Sequence, residues 1–207
     1  MRRSAEHVII GGGAVGSSIA FHLAEAGREV VVVDRGAPGS GTSAATAAWV
    51  WVHTKTPSWY AALSQLSAEL YPHFQKRLEA GDIEYRRTGG LQLLFTPEEV
   101  EKAKRLIEGH RKEGIEAHLL SPEETLAREP AVSPRILGAT YSRLDGNVNP
   151  FRLVYSLAKA AQRRGADYLT YVPVQGIRRE RGRFMLETRA GEVEGRRLII
   201  CACPWAA

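Results

Sequence analysis

The stretch IIGGGAVGSSIAFHLAEAGREVVVVDR, residues 9–35, decides how the chain begins to fold. His7 to Ile10 is an apolar run of strand length, and Gly11 to Gly16 spells G-x-G-x-x-G. Ser17 to Ala26 has helical spacing, with Ile19, Ala20, Leu23 and Ala24 on its inner side, and Gly27 ends it. Glu29 to Asp34 reads as a second strand, whose four consecutive valines suit a parallel strand covered on both faces. Alone, such a glycine loop is a weak signal. Between a strand and a helix, with an acid closing the next strand, it has the context of a dinucleotide-binding βαβ unit. Gly11 makes the tight turn, Gly13 lets backbone approach a pyrophosphate, and Gly16 lets helix and strand pack closely. The helix N-terminus offers free N–H groups and partial positive charge to the diphosphate. Asp34 accepts from the ribose hydroxyls. An acid there argues against the 2′-phosphate of NADP, although Arg35 beside it acts the other way. The loop does not separate NAD from FAD.

Working outward, 207 residues suffice for one large domain or two small ones, and 44% hydrophobic with 25% charged residues is ordinary globular composition. No apolar run approaches a membrane span; the strongest, Val30 to Val33 and Leu198 to Ala202, have strand length. The basic start leads into a strand and a glycine loop, without the apolar core or cleavage site of a signal peptide, so a cytoplasmic protein is expected. The net charge of +5 is dispersed, with short clusters at Arg178-Arg179-Glu180-Arg181 and Arg196-Arg197. Those clusters alternate with acids and flank strands, which reads as solvated hairpin ends; a nucleic-acid reader would concentrate its charge. Cys201 and Cys203 are expected as small buried strand residues, and no Cys or His spacing suggests a metal site.

Residues 36–48 (GAPGSGTSAATAA) are small and polar, a loop suited to close approach. Pro57 to Ala80 has helical spacing, with Leu63, Leu66, Leu70 and Phe74 as the expected buried stripe. Gly89 to Phe95 alternates like a strand, and Pro97 opens a helix through Lys112. Ser121-Pro122-Glu123-Glu124 is a capping box that starts a short helix. Asp145 to Pro150 is a turn, and a helix runs from Phe151 to Arg164. Strands are expected at Asp167–Val174, Phe184–Thr188 and Arg197–Cys203. The expected fold is α/β: a Rossmann-like FAD/NAD(P)-binding domain with a central parallel sheet over 1–80 and 145–207, and an inserted, partly antiparallel substrate portion over 81–144.

Several ordered segments resemble the D-amino-acid-oxidase-like FAD-dependent oxidoreductases, which include glycine oxidase, sarcosine oxidase and D-amino-acid dehydrogenases. They are residues 9–35 above, SGTSAATAAWV (40–50), TGGLQLLF (88–95), Glu129-Pro130, DGNVNP (145–150), LVYSLAKAAQRRGADYLTYVPVQGI (153–177) and VEGRRLIICACPWAA (193–207). The resemblance implies FAD as cofactor. It places Gly11, Gly13, Ala14, Val15 and Gly16 on the pyrophosphate, Asp34 on the ribose and Arg35 near the adenine. Thr42 and Ser43 match a loop that bonds the diphosphate, and Ala47, Ala48 and Trp49 would lie along the flavin. Val174 matches a backbone contact to the adenine edge. Ala202, Cys203 and Trp205 fall next to the cofactor, where the family commonly has Ala-Gly-Ala-Trp. Cys203 therefore departs from a usual glycine, and Ala48 departs from a frequent one. The family generally continues well beyond this point, so the resemblance implies an N-terminal portion whose site a C-terminal half or partner subunit completes.

The implied chemistry is oxidation of the C–N bond of an amine or amino acid, by hydride transfer to flavin N5, with no obligatory catalytic base. No catalytic residue is assigned. Trp49, Trp51, His53 and Lys55 alternate and would share one strand face; His53 or Lys55 then binds a carboxylate or tunes the flavin, unless the strand is simply amphipathic. His7, His22, His73, His110 and His118 fall without clustered partners. Two other readings stay open: a non-catalytic nucleotide-binding module or subunit of a hetero-oligomer, and an NAD-dependent dehydrogenase. The SGTSAATAA loop counts against the latter.

Overall fold

The structure, a computed structural model, describes residues 3–79 and 82–206. Met1, Arg2, Ala80, Gly81 and Ala207, which carry the ends of several expected spans, lie outside the described residues. In chain order the elements are β1 (Arg3–Ile10), α1 (Ala14–Glu25), β2 (Val30–Val33), β3 (Trp49–Val50), α2 (Ser58–Arg77), β4 (Gly90–Leu94), α3 (Pro97–Lys112), β5 (His118–Leu120), α4 (Pro122–Arg128), β6 (Gly138–Ser142), β7 (Gly146–Asn147), α5 (Pro150–Arg163), β8 (Asp167–Leu169), β9 (Val174–Glu180), β10 (Arg183–Thr188) and β11 (Gly191–Ile200). Single 3-10 turns lie at Thr42–Ala45 and Cys203–Trp205.

Contacts divide the chain into two units. The first comprises Met1–Ala47, Gln75–Ile83 and Asn149–Ala207. Its sheet has the order β8-β2-β1-β11-β10-β9; β8, β2, β1 and β11 are parallel, and β10 and β9 add antiparallel at the end. All four valines of β2 are buried, as a strand between two parallel neighbours requires. Each contributes about 1.5–3 kcal/mol of burial. α1 begins three residues before the expected start, because the tail of the glycine loop already has helical backbone. Its buried side is Gly16, Ser17, Ala20, Phe21 and Ala24, packed against α5.

The second unit comprises Ala48–Phe74 and Glu84–Val148. Its antiparallel sheet has the order β4-β6-β5, and the short β3 pairs with β7. That pairing draws 48–74 into the second unit, whereas sequence reading placed 1–80 in the first and began the insertion at 81. α3 and α4 both start with full capping boxes, on Thr96/Glu99 and Ser121/Glu124. Among the described residues no helix is long and apolar enough to cross a membrane.

Several expected details differ. In α2 the buried residues are Ala61, Ala68 and Phe74, while Leu63, Leu66 and Leu70 are exposed. Asp167–Val174 is two elements, β8 and the start of β9, broken at Tyr171 by a left-handed backbone. The last strand starts at Gly191 and stops at Ile200, so Cys201 is half-buried and Cys203 is exposed in a turn. Arg178 and Arg197 sit within strands, not at hairpin ends. Arg178 bonds Glu180 (2.8 Å), Glu187 (2.7 Å) and Glu192, and the hydrogen bonds to Glu192 first and then Glu180 raise its guanidinium pKa.

Candidate functional site

Within the first unit, the C-terminal ends of β1, β2 and β11 surround a cavity of about 570 Å3. Ten of the residues singled out in the sequence line it: Gly11, Gly13, Asp34, Arg35, Thr42, Ser43, Val174, Ala202, Cys203 and Trp205. This is the crevice outside the strand ends where open α/β sheets bind ligands.

The glycines are dictated by close approach. Gly11 has φ +103°, and a Cβ there would lie 2.6 Å from the Cys201 carbonyl oxygen. A Cβ on Gly16 would meet the Gly11 carbonyl oxygen at 1.9 Å. Gly11 therefore lets β1 turn beside β11, and Gly16 lets α1 start against the turn. Gly13 is the N-cap of α1 and carries no side chain to cap it, and no acid occupies the first turn. The Ala14 N–H donates to Ser43 Oγ at 2.9 Å, which ties the 3-10 turn to the helix start. The result is a positive helix terminus facing a polar loop, an arrangement suited to an anion.

Asp34 is held from both sides. The Gly12 N–H donates to its Oδ2 at 2.6 Å and the Gly36 N–H to its Oδ1 at 2.8 Å. Each oxygen keeps lone-pair capacity for a further donor, so the carboxylate is oriented before any ligand arrives. Behind the loop, burial pushes the Tyr168 phenol up to about 12, leaving a neutral neighbour for Gly12. At the mouth, the Arg35 guanidinium lies 4.2 Å above the Trp205 ring. Burial, and secondarily Cys203, pushes the Cys201 thiol up.

The remaining singled-out residues lie elsewhere. Ala14, Val15 and Gly16 form the first turn of α1 without lining the cavity, with Val15 exposed; Ala47 is exposed at the end of the loop. Ala48 and Trp49 belong to the second unit. Trp49, Trp51 and His53 do share a face, with successive ring centroids 5.2 Å apart, although only Trp49 and Val50 form a strand. His53 is fully buried: Nδ1 bonds the Asp145 carboxylate and Nε2 bonds Thr140 Oγ1 at 2.8 Å. It is not available to a substrate carboxylate, which corrects one of the two expectations for this segment. Lys55 lies 5.4 Å from the Tyr60 ring. His110 is also partnered, its Nε2 donating to the His53 carbonyl at 2.9 Å. Sequence reading had Asp145 only as a turn residue, because its partner His53 is 92 positions away and no spacing announces the pair.

Residues 6–207 match the family model of the FAD dependent oxidoreductases, the DAO family. The chain belongs to that family. The family's cofactor is FAD. An opine oxidase subunit of Agrobacterium tumefaciens (strain Ach5) is 33% identical over 94% of the chain and 55% of its own length. Glycine oxidase of Bacillus licheniformis is 29% identical over 100% of the chain and 56% of its own length. Among solved structures, glycine oxidase from Geobacillus kaustophilus superposes with a TM-score of 0.92 at 30% identity, covering 99% of this chain and 57% of that one. The chain thus spans about half the length of the FAD-dependent relatives it matches.

Proposed function

We propose that the chain carries the cofactor-binding part of an FAD-dependent oxidoreductase that oxidises the C–N bond of an amino acid or amine. One observation carries the reading: the Asp34 carboxylate, oriented by the Gly12 and Gly36 amides, shares a cavity with Gly13 at the start of α1 and the Thr42–Ser43 turn. A ribose acceptor and a diphosphate cradle side by side fit the ADP half of FAD, and the relatives' names, glycine oxidase and opine oxidase, supply the substrate class. In this reading Gly13, Ala14, Val15 and Ser43 hold the diphosphate, Arg35 and Val174 flank the adenine, and Ala202, Cys203 and Trp205 close the mouth. Ala47, at the end of the loop, runs along the flavin. Bound FAD supplies the hydride acceptor, at its N5. The chain's own residues bind and orient that cofactor.

The test is anaerobic mixing of FAD-loaded protein with glycine, sarcosine, proline and an opine, followed at the flavin's visible band. Bleaching by at least one of them is expected. A fully loaded protein that none of them bleaches contradicts oxidation by this chain alone and leaves a nucleotide-binding subunit as the better reading.

A further inference from the structure

The chain's two cysteines, Cys201 and Cys203, both line the cavity of the first unit. Both are free thiols, Cys201 half-buried and Cys203 exposed. Packing as a small buried residue therefore does not account for Cys203. Strand pairing does not account for it either, because β11 stops at Ile200 and Cys203 opens the 3-10 turn that ends at Trp205. Between the two thiols, Ala202 has φ −80° and ψ 4°, a turn-like backbone. Such a residue holds its neighbours' Cα atoms about 5.5 Å apart, inside the roughly 4.4–6.8 Å spanned by bridged cysteines. On a continuing strand they would be about 6.6 Å apart, near the upper limit.

The same turn is a wall of the cavity. The Cys201 N–H donates to the Ile10 carbonyl at 2.7 Å, which ties the turn to the end of β1. The Cys201 Cβ lies 3.4 Å from the position a Cβ on Gly16 would take, so this side chain packs against the start of α1. On the other side, the Trp205 ring carries the Arg35 guanidinium and lies 3.4 Å from the Cβ position of Gly41 in the polar loop. The Trp205 N–H donates to the Ala202 carbonyl at 3.1 Å. A bond between residues 201 and 203 closes a small ring around Ala202 and so displaces the groups that shape the cavity. Burial pushes the Cys201 thiol up, which keeps it protonated and slow to attack, whereas Cys203 is open to solvent. The pair divides into an exposed attacking thiol and a sheltered resolving one.

We propose that Cys201 and Cys203 are a redox-active dithiol that reacts with a low-molecular-weight disulfide, and that its oxidised form and a bound nucleotide exclude each other. The Cys203 thiolate attacks one sulfur of the small disulfide. That S–S bond breaks, a mixed disulfide forms, and the departing thiolate takes up the proton that Cys203 had lost. Cys201 then gives up its proton and attacks Cys203 Sγ, forming the intramolecular disulfide and releasing the second small thiol. Two protein thiols are oxidised and one small disulfide is reduced to two thiols. Exclusion runs both ways: a nucleotide in the cavity covers the thiols, and the closed ring moves the turn that the nucleotide rests on. The disulfide stands on the cysteine geometry alone; the exclusion rests on the proposed function for its nucleotide.

The test mixes glutathione disulfide with the purified, reduced full chain, either free of nucleotide or loaded with FAD. Remaining thiols are counted with a chromogenic thiol reagent, and the products are weighed by intact-mass spectrometry. The nucleotide-free chain is expected to lose both thiols and retain no glutathione, and FAD to slow this by at least about tenfold. The oxidised chain should bind FAD at least about tenfold more weakly and recover when dithiothreitol reduces it. Cys201→Ser should stop with one glutathione attached, and Cys203→Ser should take up none; circular dichroism checks that both are folded. Wild-type chain that keeps its thiols, or that retains a glutathione as Cys201→Ser does, overturns the dithiol. Equal oxidation rates with and without FAD, or equal FAD affinities of the two forms, overturn the exclusion. Reduced chain that binds no FAD overturns the proposed function and the exclusion together, while the mass of the product still decides the disulfide.

Discussion

Asp34 shows at the scale of one residue how the site is prepared: two backbone amides fix a carboxylate whose remaining lone pairs face the cavity. Cys203 shows the opposite, a residue held against its preference. It has φ +50° and Ala48 has φ +64°, and both positions are those where the family's pattern has glycine. The departures noticed in the sequence are therefore the places where an L side chain is strained in the left-handed region. Cys203→Gly should relieve that strain and stabilise the chain by about 0.5–1 kcal/mol, partly offset by the freer unfolded chain. A urea midpoint that falls in the variant would show that the thiol's own packing outweighs the strain. The resemblance made these positions legible, while composition and periodicity did not.

At the scale of elements, the first βαβ unit was readable because every local signal agreed: a buried valine strand, a glycine loop, a helix and a terminal acid. α2 was readable as a helix but not in its orientation. Leucines at 63, 66 and 70 form an apolar stripe by spacing, yet Ala61, Ala68 and Phe74 are the residues that face the protein. Periodicity reports that a helix is amphipathic and cannot say which side its neighbours cover. Phe74→Ala should therefore cost about 3–5 kcal/mol, whereas Leu66→Gln should change stability by less than about 0.5 kcal/mol. Comparable losses for the two would put Leu66 back in the interior. α3 supplies a pH dependence. Burial holds the His110 pKa below its ordinary 6.5, so the folded state keeps the ring neutral. Below about pH 6.5 the unfolded chain binds a proton that the folded chain refuses, so stability falls with pH, by up to about 1.4 kcal/mol per unit. His110→Gln should flatten that slope between pH 7 and the folded-state pKa, read from urea midpoints; an unchanged slope would remove His110 as its source.

At the scale of the molecule, the nucleotide-type unit and the inserted unit each hold a cavity formed from residues distant in sequence. Most residues of the first cavity were visible in the sequence, since strand ends and glycine loops are local features. The second was hidden, because His53, Asp145 and Thr140 meet only through the β3–β7 and β4–β6 pairings. Membership of the FAD-dependent oxidoreductases joins these units to a chemistry, and the ADP half of the cofactor is where the account is most exposed to disproof. Asp34→Asn puts an amide N–H2 against one of the two backbone donors and removes the charge, a loss of about 1.5–3 kcal/mol, or roughly 10–100-fold in affinity. The decisive measurement is a titration of the purified full chain with FAD, followed by flavin fluorescence and competed with ADP, in wild type and Asp34→Asn. One FAD per chain is expected, displaced by ADP and bound more weakly by that extent after the substitution. A folded wild-type chain that binds no FAD, or binds it equally well without the Asp34 carboxylate, would contradict it.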